Sequence, residues 1–281
     1  MMARCCQVFP IHMMCRLLQV SPSGYYASQR RSLSRRAQEN RQLTQEIRSI
    51  HAESDGVYGS PKLWQALQER GHVCGKHRVA RLMKQEGLQG IPSRTRCRKG
   101  TFGIRPQGVK NHLARDFSAE ALNTKWVTDI TYIRTAEGWL YLAVVLDLFS
   151  RQVIGWSMQP QLGREIVLQA VLRAVRQRTI SEAVILHTDR GTQYTAHEFQ
   201  AFLKTHGIVS SMSGVGNCYD NAVAESFFGL LKRERVHRRA YQTRAAARTD
   251  IFDYIERFYN RQRQHSYAKG LSPEAYAKQG A

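Results

Sequence analysis

The feature that most constrains the fold is a change of hydrophobic pattern near Lys125. Before this residue, apolar side chains recur at helical spacing in short segments separated by turns. After it, residues 126–134 and 139–148 form two runs rich in β-branched and aromatic residues around the turn segment 135–138, which predicts a β-hairpin. The chain therefore needs a helical part followed by a part that is built around a sheet.

Beyond the hairpin, predicted strands and helices alternate. The predicted elements are a strand at 153–158, a helix at 163–178, a buried strand at 183–186, a helix near 196–206, a strand at 209–212 and a helix with Asp220 as its N-cap. Three consecutive strands followed by alternating helices and strands are a mixed α/β pattern. This order fits a ribonuclease H-like fold with a mixed five-stranded sheet.

A pair of short helices precedes the sheet. The first is predicted to begin with Ser60 as N-cap and Pro61 as first helical residue, and the second to run from about Lys76 to Glu86. A glycine-containing turn joins them, which is typical of a helix-turn-helix unit. The second helix carries basic side chains that suit DNA phosphates and major-groove edges, namely Lys76, His77, Arg78, Arg81 and Lys84. Such helix pairs are common, so a purely structural role stays open.

The patterns divide the chain into four parts. Helices are also predicted at 12–18 and 34–52, with a turn cluster at 20–24. Residues 91–111 carry six Lys and Arg residues without hydrophobic periodicity, as expected of a linker that lies against nucleic acid. The predicted parts are a helical, helix-turn-helix region at 1–90, a basic linker at 91–118, a ribonuclease H-like core at 119–240 and a helical C-terminal tail of the core at 241–281.

The charge balance indicates a polyanionic partner. The chain has 42 Lys and Arg residues against 22 Asp and Glu residues, and residues 1–115 hold 21 of the basic residues but only six of the acidic ones. A basic excess in one half of a chain is typical of nucleic-acid binding, although a solvated basic face is the alternative.

The cysteines and the apolar segments exclude several classes of protein. None of the six cysteines forms a C-x-x-C pair, which argues against a zinc ribbon and a thioredoxin-like redox site. No secretory signal is recognisable, and no run of about 20 apolar residues that would span a membrane occurs. We expect a reduced, cytoplasmic protein.

Three carboxylates are candidates for catalysis. Asp129 lies in a predicted strand among apolar and β-branched residues, where a charge is costly to bury unless it is paired or bound to metal. Asp189 follows a short apolar strand, and strand ends are where α/β folds place reactive groups. Glu225 lies in the last predicted helix of the core. Each alone suits a salt bridge or a cap, but together they offer hard oxygen ligands for Mg²⁺ or Mn²⁺, and two such ions can clamp a phosphoryl transfer.

Three strings around these carboxylates resemble the acidic signatures of the integrase catalytic core that retroviral integrases and insertion-sequence transposases share. They are WVTDITYI, HTDRGTQY and NCYDNAVAESFFGLLKRE. Thirty-five residues separate Asp189 from Glu225, which is typical of D-D-E enzymes, and Lys232 lies two helical turns beyond Glu225. The strings YGSPKLWQALQERGH and HRVARLMKQEGLQG resemble the family's helix-turn-helix region, and YNRQRQHSYAKGLSPEAY resembles its tail. Nearly the whole chain resembles the second reading frame (OrfB) of the IS-three insertion-sequence family.

The resemblance implies a DNA transposase. Asp129, Asp189 and Glu225 would hold two Mg²⁺ or Mn²⁺ ions, a phosphodiester at the element's end would be hydrolysed, and the freed 3′-hydroxyl would attack another strand. Lys232 matches the basic residue that such cores place near DNA. The implied partners are the terminal inverted repeats, target DNA, further copies of the chain on DNA and an upstream-frame product joined as a frameshift fusion, since this chain has no heptad repeat long enough for a zipper. The implied location is the bacterial nucleoid.

Polar residues near these motifs have two interpretations each. Gln193 and Tyr194 either contact DNA beside the metal site or pack the loop. Asn221, four residues before Glu225 on the same helical face, is a further candidate at the DNA; it either orients that carboxylate or fills a polar surface.

Other residues have a simple structural interpretation. Asp147 is a rival metal ligand, although a turn at a strand end explains it more simply, and His187 is more simply a core histidine than a ligand. Trp126 and Trp139 are expected in the core. A basic run that would extend the DNA-facing surface beyond Lys232, or merely be solvated, consists of Arg233, Arg235, Arg238 and Arg239.

Two further functions compete with the transposase. The first is a catalytically silent DNA-binding regulator of the element, against which the three intact acids argue. The second is a nuclease that only hydrolyses, which the helix-turn-helix region and Lys232 disfavour. Joined DNA product distinguishes the transposase from both.

Overall fold

The computed structural model describes residues 7–92, 118–180, 183–189, 191–212 and 221–280. Most of the predicted basic linker and the predicted N-cap Asp220 lie outside these residues. Within the described part of the N-terminal region the helices are α1 (Ile11–Leu17), α2 (Pro22–Arg30), α3 (Arg35–Glu53), α4 (Ser60–Glu69) and α5 (Lys76–Gln85). In the described residues, no helix is both long and apolar enough to cross a membrane.

A mixed sheet forms the centre of the second part. Its strands are β1 (Lys125–Thr135), β2 (Gly138–Asp147), β3 (Val153–Gln159), β4 (Val184–Thr188) and β5 (Ile208–Met212). Their spatial order is β3-β2-β1-β4-β5, with β1–β2 and β2–β3 antiparallel and β1–β4 and β4–β5 parallel. The predicted hairpin is confirmed: Thr135 pairs with Gly138, whose φ of 109° favours glycine. The predicted fold class is confirmed as well.

Helices cover both faces of this sheet. They are α6 (Arg164–Gln177), α7 (Thr192–Thr195), α8 (His197–Thr205), α9 (Ala222–Glu234), α10 (Arg244–Phe252) and α11 (Pro273–Gln279), with a 3₁₀ turn at Val236–Arg238 and a π-helical segment at Asp253–Tyr259. Trp126 faces α6 and α8, whereas Val127 faces α9 and α10, because successive residues of a strand point to opposite faces. Asp129 therefore lies on the face that α9 covers.

The N-terminal helices and the sheet share one continuous core. Apolar side chains of α3 to α5 such as Ile47 and Leu63 belong to the same buried cluster as Val127. Tyr58, between α3 and α4, provides a polar link as well: its hydroxyl donates to the carbonyl of Gln262 at 2.9 Å and accepts from the backbone N–H of Gln264 at 3.0 Å. The helix-turn-helix region is thus fixed against the C-terminal tail.

Three local predictions are wrong. The turn cluster predicted at 20–24 is the start of α2, because Ser21 is an N-cap that accepts a hydrogen bond from Gly24 N at 2.9 Å. Helix α4 begins one residue early, at Ser60, with Gly59 as its N-cap. Trp139 is 46% exposed and packs edge-on against a neighbouring tyrosine, whereas Trp126 is buried as expected.

Candidate active site

Strands β1 and β4 place Asp129 and Asp189 side by side. Val127 pairs with His187, so the parallel register, continued by two residues, sets Asp129 opposite Asp189 and on the same face. Asp189 follows the last residue of β4, and its Oδ1 accepts a hydrogen bond from Gly191 N at 2.9 Å. A Cβ at Gly191 would lie 3.0 Å from this carboxylate oxygen, so any larger residue there would crowd the Asp189 side chain.

Helix α9 brings Glu225 to the same end of the sheet. Its N-cap residue, Asn221, is buried and donates a hydrogen bond from Nδ2 to the carbonyl oxygen of Thr128 at 3.3 Å. Because Thr128 directly precedes Asp129, this bond ties the helix of Glu225 to the strand of Asp129. The Glu225 side chain lies one turn into α9 and is exposed.

The three carboxylates interact electrostatically. The pKa of Asp129 is raised to about 7, chiefly by burial and further by the negative charges of Asp189 and Glu225. A hydrogen bond from Ile130 N to Asp129 Oδ1 at 2.7 Å and the charge of Lys232 lower the pKa of Asp129. Burial also raises the pKa of Glu225.

The donor chemistry of this cluster fits a hard divalent cation. Carboxylate oxygens are the ligands that Mg²⁺ and Mn²⁺ prefer, and Asp129 is desolvated beside two further negative charges. A bound cation would relieve that repulsion. As they stand, no three His, Cys, Asp or Glu side chains of the described residues are gathered closely enough to hold one ion. Of the three carboxylates, Glu225 is exposed, so its side chain has space to turn toward a bound ion.

Lys232 lies on the same helix face, as predicted. Its ammonium lies 5.0 Å from the centre of the Tyr132 ring, on the strand that carries Asp129. Burial lowers the pKa of Lys232, whereas the charge of Asp129 raises it. The ammonium is therefore within electrostatic reach of the carboxylate cluster.

Two of the residues expected at the DNA are buried instead. The Tyr194 side chain is 1% exposed and its hydroxyl lies 3.5 Å from the hydroxyl of Thr128, so it packs the loop. Asn221 is 7% exposed, and its side-chain amide is hydrogen-bonded to the backbone of β1. Both side chains therefore have structural partners within the protein, and their contact with DNA stays a prediction. Gln193 is partly exposed, and its Oε1 lies beside Gly191 next to Asp189.

The basic residues of α5 do not form one uniform surface. Lys76, Arg81 and Lys84 are exposed, and the Lys76 ammonium lies 4.5 Å from the Trp64 ring. Arg78 instead donates to Asn40 Oδ1 at 2.8 Å, which ties α5 to α3. Structural use of Arg78 explains its partial burial.

Asp147 and His187 have structural partners. Asp147 is buried and accepts hydrogen bonds from Asn123 N at 3.0 Å and from Ser150 N and Oγ at 2.8 and 2.7 Å, which confirms the turn role. His187 is buried and its Nδ1 lies 3.0 Å from Ser211 Oγ, as expected of a core histidine.

Most of the basic run after Lys232 is neutralised within the protein. Arg235 lies 3.3 Å from Asp250 and Asp253, and Arg238 and Arg239 lie 3.2 and 3.3 Å from Asp55. The prediction that these arginines extend a free basic face is therefore wrong. They join the N-terminal helices to the C-terminal tail, a role that periodicity does not reveal because the acidic partners are remote in sequence.

Comparisons with known proteins identify the family. Residues 37–96 match the model of an HTH-like domain, and residues 119–218 and 225–280 match two models described as integrase core domain. Transposase InsF for insertion sequence IS3A of Escherichia coli (strain K12) is 42% identical over 273 residues, which cover 95% of this chain and 94% of the relative. The chain belongs to the IS3 family of transposases. It is accordingly an enzyme of DNA transposition that transfers polynucleotide strands.

Other proteins match this IS3 transposase with lower sequence identity. The insertion element IS600 uncharacterized 31 kDa protein of Shigella sonnei is 36% identical over 263 residues, covering 94% of this chain and 97% of the relative. Among solved structures, the catalytic core domain of BIV integrase matches with a TM-score of 0.43 and 22% identity, covering 56% of this chain and 95% of that one.

The raised pKa of Asp129 predicts that a rise in pH lowers the stability of the metal-free protein but raises its affinity for metal. Without metal, folded Asp129 binds its proton more tightly than unfolded Asp between pH about 4 and 7, so stability falls as pH rises through this window. Metal must displace that proton, so its affinity rises with pH up to about 7 and then levels off. Mg²⁺ at about 100 times its Kd should add about 2.7 kcal/mol of stability.

Thermal unfolding between pH 4 and 8, with chelator and with millimolar Mg²⁺ or Mn²⁺, checks this expectation. Asp129→Asn is the matched variant, in which both the fall of stability with pH and the metal response should be much weaker. A melting temperature of the native chain that is flat across the metal titration contradicts a cation at this cluster.

Proposed function

We propose that Asp129, Asp189 and Glu225 are the catalytic acids of a D-D-E active site that uses two divalent cations, Mg²⁺ or Mn²⁺. The observation that carries this is the parallel register of β1 and β4, which brings Asp129 on β1 beside Asp189 directly after β4, with the Glu225 helix bonded to β1 through Asn221. When bound, such ions supply charge stabilisation for the attacking and leaving oxygens of a phosphodiester. The reaction is cleavage at the ends of an insertion sequence followed by strand transfer.

The side chains around the acids have separate roles in this proposal. Asp129 and Asp189 hold the cations from the end of the sheet, and exposed Glu225 completes the site from α9. Lys232, over Tyr132, contacts a DNA phosphate beside the cluster. Buried Tyr194 and Asn221 keep the strand and the helix in place.

The helix-turn-helix region supplies the second DNA contact. Lys76, Arg81 and Lys84 of α5 are exposed and contact phosphates and groove edges of the terminal inverted repeats. Gln193 contacts the DNA strand that lies at the active site. Because Tyr58 fixes this region to the tail, one subunit holds its recognition helix at a set position relative to its catalytic acids.

The working assembly is larger than one chain in this proposal. It contains several copies on the element ends and target DNA, and the product of an upstream frame is joined as a fusion. The division into a helical region at 1–90, a basic linker at 91–118, a core at 119–240 and a tail at 241–281 gives each DNA contact its place along the chain.

A strand-joining assay tests the proposed function. Labelled duplexes copied from the inverted repeats that flank the gene are incubated with the full chain, with Mg²⁺, with Mn²⁺ and with chelator. Metal-dependent joined product supports the proposal, and hydrolysis without joining identifies a nuclease instead. Inactivity of both the chain and its upstream-frame fusion, with DNA binding retained, identifies a silent regulator.

Binding to the same duplexes has a characteristic salt response. With six to ten phosphate contacts, affinity should fall roughly 10³- to 10⁵-fold between 50 and 200 mM salt. Fluorescence anisotropy measures this slope directly, and a flat response rules out the phosphate backbone as the main source of affinity.

A further inference from the structure

An exposed pair of aromatic side chains lies near the tip of the β1–β2 hairpin. Tyr132 on β1 and Trp139 on β2 are 58% and 46% exposed, and their ring centres lie 5.2 Å apart with an interplanar angle of 83°. Trp139 pairs with Arg134 in the antiparallel register, so Tyr132 is its diagonal neighbour on the same face of the hairpin. Single exposed apolar residues are common on protein surfaces, whereas two large rings in contact there form a patch that suits a binding partner.

Two cations border this aromatic pair. The Lys232 ammonium lies 5.0 Å from the centre of the Tyr132 ring, and exposed Arg134 is the direct cross-strand partner of Trp139. In contrast to the arginines that follow Lys232 in the chain, neither cation forms an ion pair with a carboxylate of the described residues. The acidic residue of the hairpin turn, Glu137, accepts the backbone N–H at the start of α10 at 2.8 Å. The patch therefore combines exposed rings with positive charge.

The aromatic pair lies close to the carboxylate cluster. Tyr132 follows Asp129 by three residues, which is about 10 Å along β1. The two side chains point to opposite faces of the strand, but β4 pairs with β1 only at 125–127, so in the described residues no strand covers this edge of β1 between there and the bridge at Thr135. Lys232 belongs to α9, on the Asp129 face, and reaches the Tyr132 ring across this open edge. A DNA strand that leaves the acids along the same edge therefore meets Lys232 and then the aromatic pair.

The chemistry of the patch suits a nucleotide whose base is unpaired. Proteins bind single strands of nucleic acid through exposed aromatic rings, on which the bases stack, and through neighbouring cations, which bind the phosphates. Stacking on a side chain requires a free face of the base, and a base inside a duplex does not offer one. The base must therefore come from a strand that is opened at the end of the duplex.

We propose that Tyr132 and Trp139 form a stacking site for an unpaired base of the DNA strand that is held at the acids, with the adjoining phosphates on Lys232 and Arg134. This inference rests on the proposed function, because that function places DNA at the acidic cluster. The contact between Lys232 and the Tyr132 ring carries it, since it connects the helix of Glu225 to the exposed rings.

The site gives the exposed rings a role in the reaction. A base pair at the end of the element must open before its base can stack on Tyr132 and Trp139, and the stacking offsets part of the free energy of opening. The opened strand is then held with its phosphate beside the acids, in position for attack. The ring contact also stabilises the hairpin, as cross-strand aromatic contacts do, so a test must separate DNA stacking from folding.

The test compares two labelled duplexes copied from the inverted repeats, whose end base pairs are either matched or mismatched. Fluorescence anisotropy measures the affinity of the full chain for each duplex in chelator, so that no metal-dependent cleavage occurs. The native chain should prefer the mismatched end. Tyr132→Leu/Trp139→Leu should bind the mismatched end at least about fivefold more weakly than the native chain does, which is the smallest effect expected for the loss of one base stack. Its affinity for the matched end should be nearly native.

Control variants separate base stacking from folding. Tyr25→Leu/Tyr26→Leu removes a similar ring pair from α2, with ring centres 5.4 Å apart and Tyr26 51% exposed, and should keep the native preference. Tyr132→Phe/Trp139→Phe keeps both rings and should also keep it. A 2-aminopurine base at the mismatched end loses fluorescence when it stacks, so it should be quenched by the native chain and by the phenylalanine variant.

The outcomes distinguish the inference from the proposed function. Equal affinity of the native chain for both duplexes, an unquenched base in its complex, or a full preference in the leucine variant overturns the inference. So does an equal loss of preference in the Tyr25→Leu/Tyr26→Leu control. A native chain that binds neither duplex, in chelator or in Mg²⁺, refutes the proposed function, and the inference falls with it.

Discussion

Glu225→Gln is expected to reduce strand joining by at least about 10³-fold while the protein stays folded. The substitution removes one negative charge and one anionic ligand from the cluster without changing the size of the side chain. Metal-ion charge stabilisation contributes several kcal/mol, and each 1.36 kcal/mol corresponds to a factor of ten in rate. Because Glu225 is exposed at the surface of α9, its replacement should have little effect on the free energy of unfolding.

Joining of labelled end duplexes is the measurement, with thermal unfolding in parallel. Glu165→Gln is the matched control, since Glu165 is an exposed glutamate in the first turn of α6 whose carboxylate accepts a hydrogen bond from Gln169 at 2.9 Å. The control should join strands at the native rate. Native activity of Glu225→Gln would remove this residue from the catalytic set.

The variant also reports on Asp129. Removing the charge of Glu225 removes one cause that raises the pKa of Asp129, so that pKa should fall. The stability of the metal-free variant should then depend less on pH between about 4 and 7 than that of the native chain. This pH dependence of stability is measured without catalysis. It shows whether the variant has lost the charge of Glu225 while remaining folded.

The sequence was sufficient for the parts of the fold that depend on local pattern. Two runs rich in β-branched and aromatic residues at 126–134 and 139–148, separated by a turn segment, predict the hairpin, and the structure has β1 and β2 there. Asp129 and Asp189 stood out as candidates because one lies within a predicted strand and the other directly after one, and Glu225 was added by its motif and its spacing from Asp189. Their motifs also resemble a known family, and the chain does belong to it.

The sequence was insufficient where a partner is remote along the chain. Arg238 and Arg78 look alike as basic residues near helix ends, yet they bond Asp55 and Asn40 respectively and are not free for DNA. Tyr194 lies next to a catalytic motif and is nevertheless buried. Which cations pair with a carboxylate depends on the way the N-terminal helices and the C-terminal tail meet, and the local sequence pattern does not encode that.

A buried ion pair between Glu234 and Arg263 lies where α9 contacts the C-terminal tail. Arg263 is 6% exposed and Glu234 is 3% exposed, and the guanidinium binds both carboxylate oxygens. This interaction lowers the pKa of Glu234 and raises that of Arg263, which is the mutual shift expected of an ion pair. It joins the end of α9 to the tail.

Arg263→Met is expected to destabilise the protein by about 3–5 kcal/mol, because it leaves the Glu234 carboxylate buried with the Tyr254 hydroxyl as its one remaining direct partner among the described residues. Chemical denaturation measures the loss. Replacing both partners, Glu234→Leu/Arg263→Met, should recover much of the stability, since no unpaired charge remains. Arg257→Met, which removes an exposed arginine 3.4 Å from Asp253, is the control and should cost at most about 1 kcal/mol. A double variant as unstable as Arg263→Met would show that packing, and not the unpaired charge, sets the cost.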